Sequence, residues 1–189
     1  MNQLTVLSGS LELAQKNINE PDPRSQIKRA QDAAVTIRRQ IEFTREYEDL
    51  GVRAPVWQRL PIVISSAASQ VAGSSLTFDI PDNPFEIYAD PLLIRVFYNL
   101  FDNARLHGEN VTRITVSYRQ SDTGLIIIIA DNGAGISTED KQHLFKHGFG
   151  KHTGLGLFLS KEILSITGIT ISETGMPGEG ARFEILVPE

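Results

Sequence analysis

The 189-residue sequence predicts an α+β protein, a two-layer sandwich preceded by an antiparallel helical hairpin. Three observations carry that prediction. Apolar residues recur at helical spacing on both sides of a Pro21-Asp22-Pro23 break. Beyond Pro55, short strand-like runs are interleaved with three helix-length periodic segments. The strand runs come as an adjacent pair and a closing pair, which places a sheet on one side and three helices on the other.

The elements follow in order. Leu4, Leu7, Leu11 and Ala14 form the first helical stripe, and Ile27, Ala30, Ala34, Ile37, Ile41 and Thr44 the second. A two-helix pair leaves much of its apolar seam in water, so the hairpin either meets a second copy in a dimeric four-helix bundle or folds onto the rest of the chain. Gly51 and Pro55 end the second helix and set a boundary between residues 1–54 and 55–189. Leu60 to Val71 reads as a helix. Leu76 to Ile80 and Phe85 to Tyr88 read as strands around a Pro81-Asp82-Asn83-Pro84 turn, and Pro91 to His107 as a long helix opened by Asp90. Val111 to Tyr118 and Gly124 to Ala130 form a hairpin. A glycine-broken segment from Asp131 to Thr153 leads into a helix from Gly154 to Thr167, and Ile169 to Glu173 and Ala181 to Val187 close the sheet.

Composition narrows the function classes. The 41% hydrophobic and 22% charged residues are ordinary for a globular domain. The longest purely apolar run, Leu125 to Ala130, is far short of the roughly 18 residues a membrane-crossing helix needs. No cysteine is present, which excludes disulfides, thiolate metal sites and cysteine nucleophiles and fits a reducing cytoplasm. A net charge of −5 without a basic block argues against a nucleic-acid surface. Met1-Asn-Gln-Leu lacks the basic start of a signal peptide.

Three local patterns bear on chemistry. Asn99 and Asn103 stand one turn apart on a single face of their helix, while Leu93, Val96, Leu100 and Ala104 face the other way. Uncharged oxygen donors in that arrangement suit a Mg²⁺ that also holds triphosphate oxygens; a merely solvated face is the alternative. Asp131-Asn132-Gly133-Ala134-Gly135 follows an apolar strand, placing a carboxylate acceptor beside glycines that let backbone approach a flat base, although Asp-Asn-Gly also makes simple turns. Gly154-Leu155-Gly156 at a helix start offers amides and a positive dipole to phosphate, or plain close packing.

In combination and in this order, these patterns resemble the boxes of sensor histidine kinases. Arg95-Val-Phe-Tyr-Asn-Leu-Phe-Asp-Asn-Ala resembles the N box, Asp131-Asn-Gly-Ala-Gly-Ile the G1 box, Leu144-Phe145 through Gly148-Phe149 the F box, and Gly154-Leu-Gly-Leu the G2 box. The resemblance covers roughly residues 57 to 189. Asn2-Gln3-Leu4 and Ile37-Arg-Arg-Gln-Ile-Glu-Phe-Thr are similar to the family's dimerisation and phosphotransfer helices. The fold so implied is the Bergerat ATP-binding sandwich. The implied roles are Asn103 as Mg²⁺ ligand with Asn99 beside it, Asp131 as acceptor for the adenine amine, Gly133 and Gly135 as close-approach glycines, and Gly154, Leu155 and Gly156 at the phosphates. Ser137 to Thr153 would be the ATP lid, with Phe145 and Phe149 anchoring it, Gly148 and Gly150 within it, Lys151 reaching phosphate, and His152 and Thr153 at its end. Two positions depart from the pattern. Leu106 stands where a basic residue is common, with Arg105 one place earlier, and Ala181 stands where a hydroxyl residue is frequent.

Asn99 separates the readings within the superfamily. Hydrolysis of ATP or phosphorylation of serine calls for a base to activate a neutral oxygen nucleophile, whereas a neutral imidazole needs none. An amide cannot be that base. The expectation is therefore a cytoplasmic kinase core that passes the γ-phosphate of Mg·ATP to histidine and on to a response-regulator receiver domain, as a homodimer through the hairpin, in a longer protein that could be membrane-attached. A catalytically silent nucleotide-binding dimerisation module and a serine-directed anti-sigma-type kinase are the alternatives. By the same resemblance the acceptor histidine would fall about three places before Met1. The four histidines present, His107, His143, His147 and His152, all lie in the ATP-binding part, so the chain by itself is expected not to autophosphorylate.

Overall fold

A computed structural model describes residues 7–9, 11, 23–71, 76–82, 84–149 and 154–189. Most of the expected first helix, the Asn2-Gln3-Leu4 stretch, Asn83, and Gly150, Lys151, His152 and Thr153 lie outside the described residues. The chain forms two compact units, one from Met1–Glu48 and the other from Asp49–Gly150 and Gly154–Glu189.

In the first unit, helix α1 (Pro23–Asp49) starts at a proline, whose missing N–H costs nothing in a first turn. Its buried seam differs from the expected stripe. Ala30 and Ala33 are buried, whereas Ala34 is exposed and Ile27 and Ile41 are about half exposed, at 48% and 52%. The seam steps by three from Ala30 rather than by four, and Ala34, Ile37 and Ile41 instead line a groove of about 370 Å³ together with Leu7, Arg38 and Glu42.

The second unit contains β1 (Val56–Arg59), α2 (Leu60–Val71), β2 (Thr77–Asp79), β3 (Glu86–Ala89), α3 (Leu93–His107), β4 (Arg113–Ser121), β5 (Gly124–Asp131), α4 (Thr138–Lys141), α5 (Gly156–Ser165), β6 (Thr170–Glu173) and β7 (Arg182–Pro188). The sheet order is β2-β4-β5-β7-β6, with β2 parallel to β4 and the other neighbours antiparallel. Alternation along the strands turns Ile114, Val116, Ile127, Ile129, Phe183 and Ile185 to one face, and the register places Val116 opposite Ile129 and Ile127 opposite Ile185. Against that face pack the apolar stripes of α2, α3 and α5: Ile64, Phe97, Phe101, Leu159 and Ile163 are each at most 1% exposed. This is the expected two-layer α+β sandwich. At roughly 25 cal/mol per Å² of apolar surface removed from water, those large side chains supply most of the drive for folding.

Two elements were not foreseen. β1 pairs antiparallel with β3 as a separate two-stranded sheet, with Trp57 opposite Tyr88 and their rings 5.7 Å apart. A one-turn helix, α4, interrupts the glycine-broken segment. Ser137 caps it by accepting from the Asp140 amide at 3.1 Å, the short-range pattern that Ser-Thr-Glu-Asp specifies. Asp90 opens α3, but by a turn rather than as its cap: Oδ1 accepts from the Leu92 amide at 2.8 Å, its carbonyl accepts from Leu93 at 2.9 Å, and the helix begins at Leu93 instead of Pro91. Oδ2 of the same buried carboxylate accepts from the Gly51 amide at 3.2 Å.

Candidate functional site

The site is built where α3, the end of β5 and the start of α5 meet. Burial of Val96, Phe97, Leu100, Phe101 and Ala104 fixes the rotation of α3, so Asn99 and Asn103 emerge together, both half-buried. Asn99 Nδ2 donates to the Gly156 carbonyl at 3.0 Å and to Ser160 Oγ at 3.2 Å, and Ser160 Oγ itself donates to the Gly156 carbonyl at 2.9 Å. The asparagine thus ties α3 to the first turn of α5. Its Oδ1 carries no hydrogen bond among the described residues, and the Asn103 amide likewise has none. Leu106 is half-buried, and Arg105 is committed to Asp102 through contacts of 2.5 and 3.1 Å. The basic residue one place early is therefore held on its own helix.

Asp131 ends β5. Its Oδ1 accepts from the Gly133 amide at 2.9 Å and the Ala181 amide at 3.1 Å, leaving Oδ2 uncommitted among the described residues. Burial pushes this carboxyl above the usual carboxylate range; the two backbone amides pull it back, and the charge of Glu173 pushes it up again. Because the contact from Ala181 is a backbone one, the absence of a hydroxyl there leaves it intact. The glycines after Asp131 are packed against protein. A Cβ on Gly133 would lie 2.0 Å from the Gly108 carbonyl, and one on Gly135, at φ 73°, 2.8 Å from the Met176 carbonyl. Hydrogen bonds from the Ala134 amide to the Gly108 carbonyl and from Gly178 to the Ala134 carbonyl, at 2.8 and 2.7 Å, clamp the turn on both sides.

Of the expected lid, the described part runs from Ser137 to Phe149. Phe149 packs on His143 with ring centres 5.5 Å apart, and His147 meets Phe158 of α5 edge-on at 5.2 Å. Phe145 is half-buried. Gly148 donates to the Gly154 carbonyl at 3.2 Å, and Gly154, at φ 63°, sits so close to Phe149 that a Cβ would lie 2.3 Å from its carbonyl. The Leu155 side chain is 7% exposed and packs into the core, and its carbonyl starts α5 by accepting from Leu159. Gly156 follows with Asn99 directly beside it.

Sequence reasoning missed a second buried carboxylate. Glu173, at the end of β6, has a side chain only 1% exposed; it accepts from the Gly175 and Arg182 amides at 3.0 and 3.1 Å and pairs with Lys141 at 2.7 Å. Lys141 also donates to the Gly175 carbonyl. The sequence signal was one polar residue at a strand end, which is too common to single out. Among the described residues no three His, Cys, Asp or Glu side chains gather as a metal site.

Fold and site together define a nucleotide-binding sandwich of the α+β class. Residues 89–189 match the model of the histidine kinase-, DNA gyrase B- and HSP90-like ATPases, and the chain belongs to that family, whose domain binds ATP. It is 33% identical over 150 residues to the sensor histidine kinase ZraS of Klebsiella oxytoca, a match that covers 76% of this chain but 32% of that one. The crystal structure of the ATP-binding domain of PrrB from Mycobacterium tuberculosis is similar with a TM-score of 0.61 and 27% identity, over 72% of this chain and 98% of that one. The Acinetobacter baumannii histidine kinase AdeS shares the fold with a TM-score of 0.71 at 22% identity, covering 98% and 94% of the two chains. The chain thus spans about a third or less of the curated relatives it matches.

Proposed function

We propose that this chain is the catalytic core of a two-component sensor histidine kinase, residues 1–54 forming the helical dimerisation and phosphotransfer part and 55–189 the ATP-binding domain. It takes the γ-phosphate of ATP to a histidine, from which a response-regulator receiver aspartate receives it. The observation that carries this reading is Asn99: the position facing the nucleotide between α3 and α5 holds an amide bonded to Gly156 and Ser160, and an amide cannot abstract a proton from water or serine. A neutral histidine nucleophile needs no such base.

In this reading Oδ2 of Asp131 accepts from the adenine amine, the backbone of Gly154 and Gly156 approaches the phosphates at the positive end of α5, and the lid closes over them with Lys151 as a phosphate contact. Asn103, with Asn99 Oδ1 beside it, would hold Mg²⁺ together with phosphate oxygens, and the uncommitted amide oxygens fit a hard cation. That ion would neutralise charge developing on the transferred phosphoryl group. The protein's own part is positioning: α3 and α5 are locked by Asn99, and the adenine side by Asp131. The open groove along Ala34, Ile37 and Ile41 fits a homodimer interface. No described helix is long and apolar enough to cross a membrane, and we place this core in the cytoplasm.

The test is labelling with γ-labelled ATP of a protein extended upstream through the acceptor helix. Acid-labile, base-stable label is expected, with none mapped to His107, His143, His147 or His152. Acid-stable label would indicate serine and overturn the reading.

A further inference from the structure

Asp131 and Glu173 end neighbouring segments of the sandwich and hold consecutive amides at the entry to β7, Ala181 by Asp131 and Arg182 by Glu173. Each also accepts an amide two residues further along its own loop, Gly133 and Gly175. The two carboxylates therefore hold two consecutive peptide units, one on each side of Ala181. Between them runs the loop from Thr174 to Gly180, whose Met176 carbonyl and Gly178 amide press on Gly135 and Ala134. Gly180 is closest of all: at φ 93°, an added Cβ would stand 1.9 Å from the Asp131 carbonyl.

Lys141 completes this arrangement from α4, at the base of the lid. It reaches the nearly inaccessible Glu173 carboxylate at 2.7 Å and caps the Gly175 carbonyl. Two like charges held on consecutive amides would oppose each other, and Lys141 is the cation placed to offset the second. Of the other charged groups on the elements that meet here, Arg182 pairs with Glu184 at 2.8 Å, Glu179 lies on the 174–180 loop, and Glu139 and Asp140 stand beside Lys141 on α4.

We propose that Lys141 and Glu173 are positioning residues for nucleotide recognition: their buried ion pair holds the 174–180 loop against the Asp131 turn and keeps Asp131 an ionised acceptor, linking the base of the lid to the adenine side. This inference rests on the ATP-binding reading of the site. With Lys141 present, the charge of Glu173 is offset by its partner. Without it, that charge bears more fully on Asp131, whose carboxyl burial already pushes above the usual range, and the acceptor is blunted as the pH falls.

The experiment is calorimetric titration of the 189-residue chain with Mg·ATP between about pH 4.5 and 8. The nucleotide's own titration is common to every variant and cancels in comparison. Lys141→Met is expected to move the acidic midpoint of binding upward by roughly one pH unit, so that affinity near the acid end falls about tenfold while affinity at the alkaline end stays near that of the parent. Lys141→Arg restores the parental midpoint. Lys141→Met with Glu173→Gln, which removes both charges and keeps the fold if the single variant is unstable, does so as well. A uniform loss of affinity at every pH, or a double variant that keeps the raised midpoint, overturns the inference by reducing the pair to a structural tether. Failure of the parent chain to bind Mg·ATP would instead overturn the nucleotide-binding reading, and the inference with it.

Discussion

Replacing Asn99 by alanine separates what this residue does for the fold from what it does for a ligand. In the absence of nucleotide and metal, the side chain makes two hydrogen bonds, to the Gly156 carbonyl and to the fully buried Ser160 hydroxyl. A net contribution of about 1 kcal/mol each gives a loss of about 2 kcal/mol. The loss is not larger because Ser160 still donates to the Gly156 carbonyl, so neither partner is orphaned. For a chain of this size, that corresponds to a fall in Tm of about 4–8 °C. Thermal unfolding followed by circular dichroism, without ligand, measures it. Asn99→Asp should cost at least as much, since a carboxylate cannot donate and would face a carbonyl. A Tm within about 1 °C of the parent for the alanine variant would refute the claim that Asn99 fastens α3 to α5.

Asn103→Ala should leave stability within about 0.5 kcal/mol, because the amide has no protein partner to lose, while weakening ATP binding only when Mg²⁺ is present; equal affinities with metal would sink the ligand role. Asp131→Asn should reduce the preference for ATP over GTP, read by competition binding, since an amide at Oδ2 can present a donor to the adenine amine. The same substitution should flatten a pH dependence whose sign is fixed. The folded carboxyl titrates above its unfolded value, so its stabilising contribution to the empty domain is complete below the unfolded pKa and lost as the pH rises through the folded one. Chemical denaturation at several pH values would show that slope in the parent and not in the variant. Gly133→Ala should destabilise by about 3 kcal/mol or more, because its Cβ would meet the Gly108 carbonyl, which belongs to backbone and cannot rotate aside. An unchanged urea midpoint would contradict the packing assigned to that turn.

The layers were legible because their periodicities are strong. Leu60 to Val71 is a helix with the bounds its sequence announced, and β5 begins at Gly124 as expected. What stayed hidden depends on contacts between distant segments. Val56 to Arg59 carries Trp, Gln and Arg on a four-residue stretch, and only pairing with β3 makes it a strand. The parallel pairing of β2 with β4 is a matter of topology that three residues cannot announce. In the helical unit the spacing from Ile27 to Thr44 gave the helix correctly; of that stripe a single chain buries Ala30, with Ala33 beside it, and leaves Ala34, Ile37 and Ile41 along the open groove. In the site, Asn99 and Asp131 stood out through their company. Glu173 and Lys141, 32 positions apart, did not, because a buried ion pair leaves no local pattern.

For Asn99 and Asp131, each pattern admitted a functional reading and a structural one, and the geometry gives each side chain a structural bond without excluding the proposed ligand role. The amide of Asn99 commits its nitrogen to α5 and leaves its oxygen; the carboxylate of Asp131 commits one oxygen to the Gly133 and Ala181 amides and leaves the other. In both, the bond to the protein orients the atom that remains, so a ligand bound as proposed would meet an acceptor already ordered. The same division explains why a glutamate at position 99 would not simply add a base. It would bring the proton acceptor, but it would remove the donor that fixes α3 against α5 and set a negative charge toward the Gly156 carbonyl. A site that uses a carboxylate there must fasten its helices by another contact, so under the proposed function the residue at position 99 would select both the nucleophile the site can serve and the way its two helices are joined.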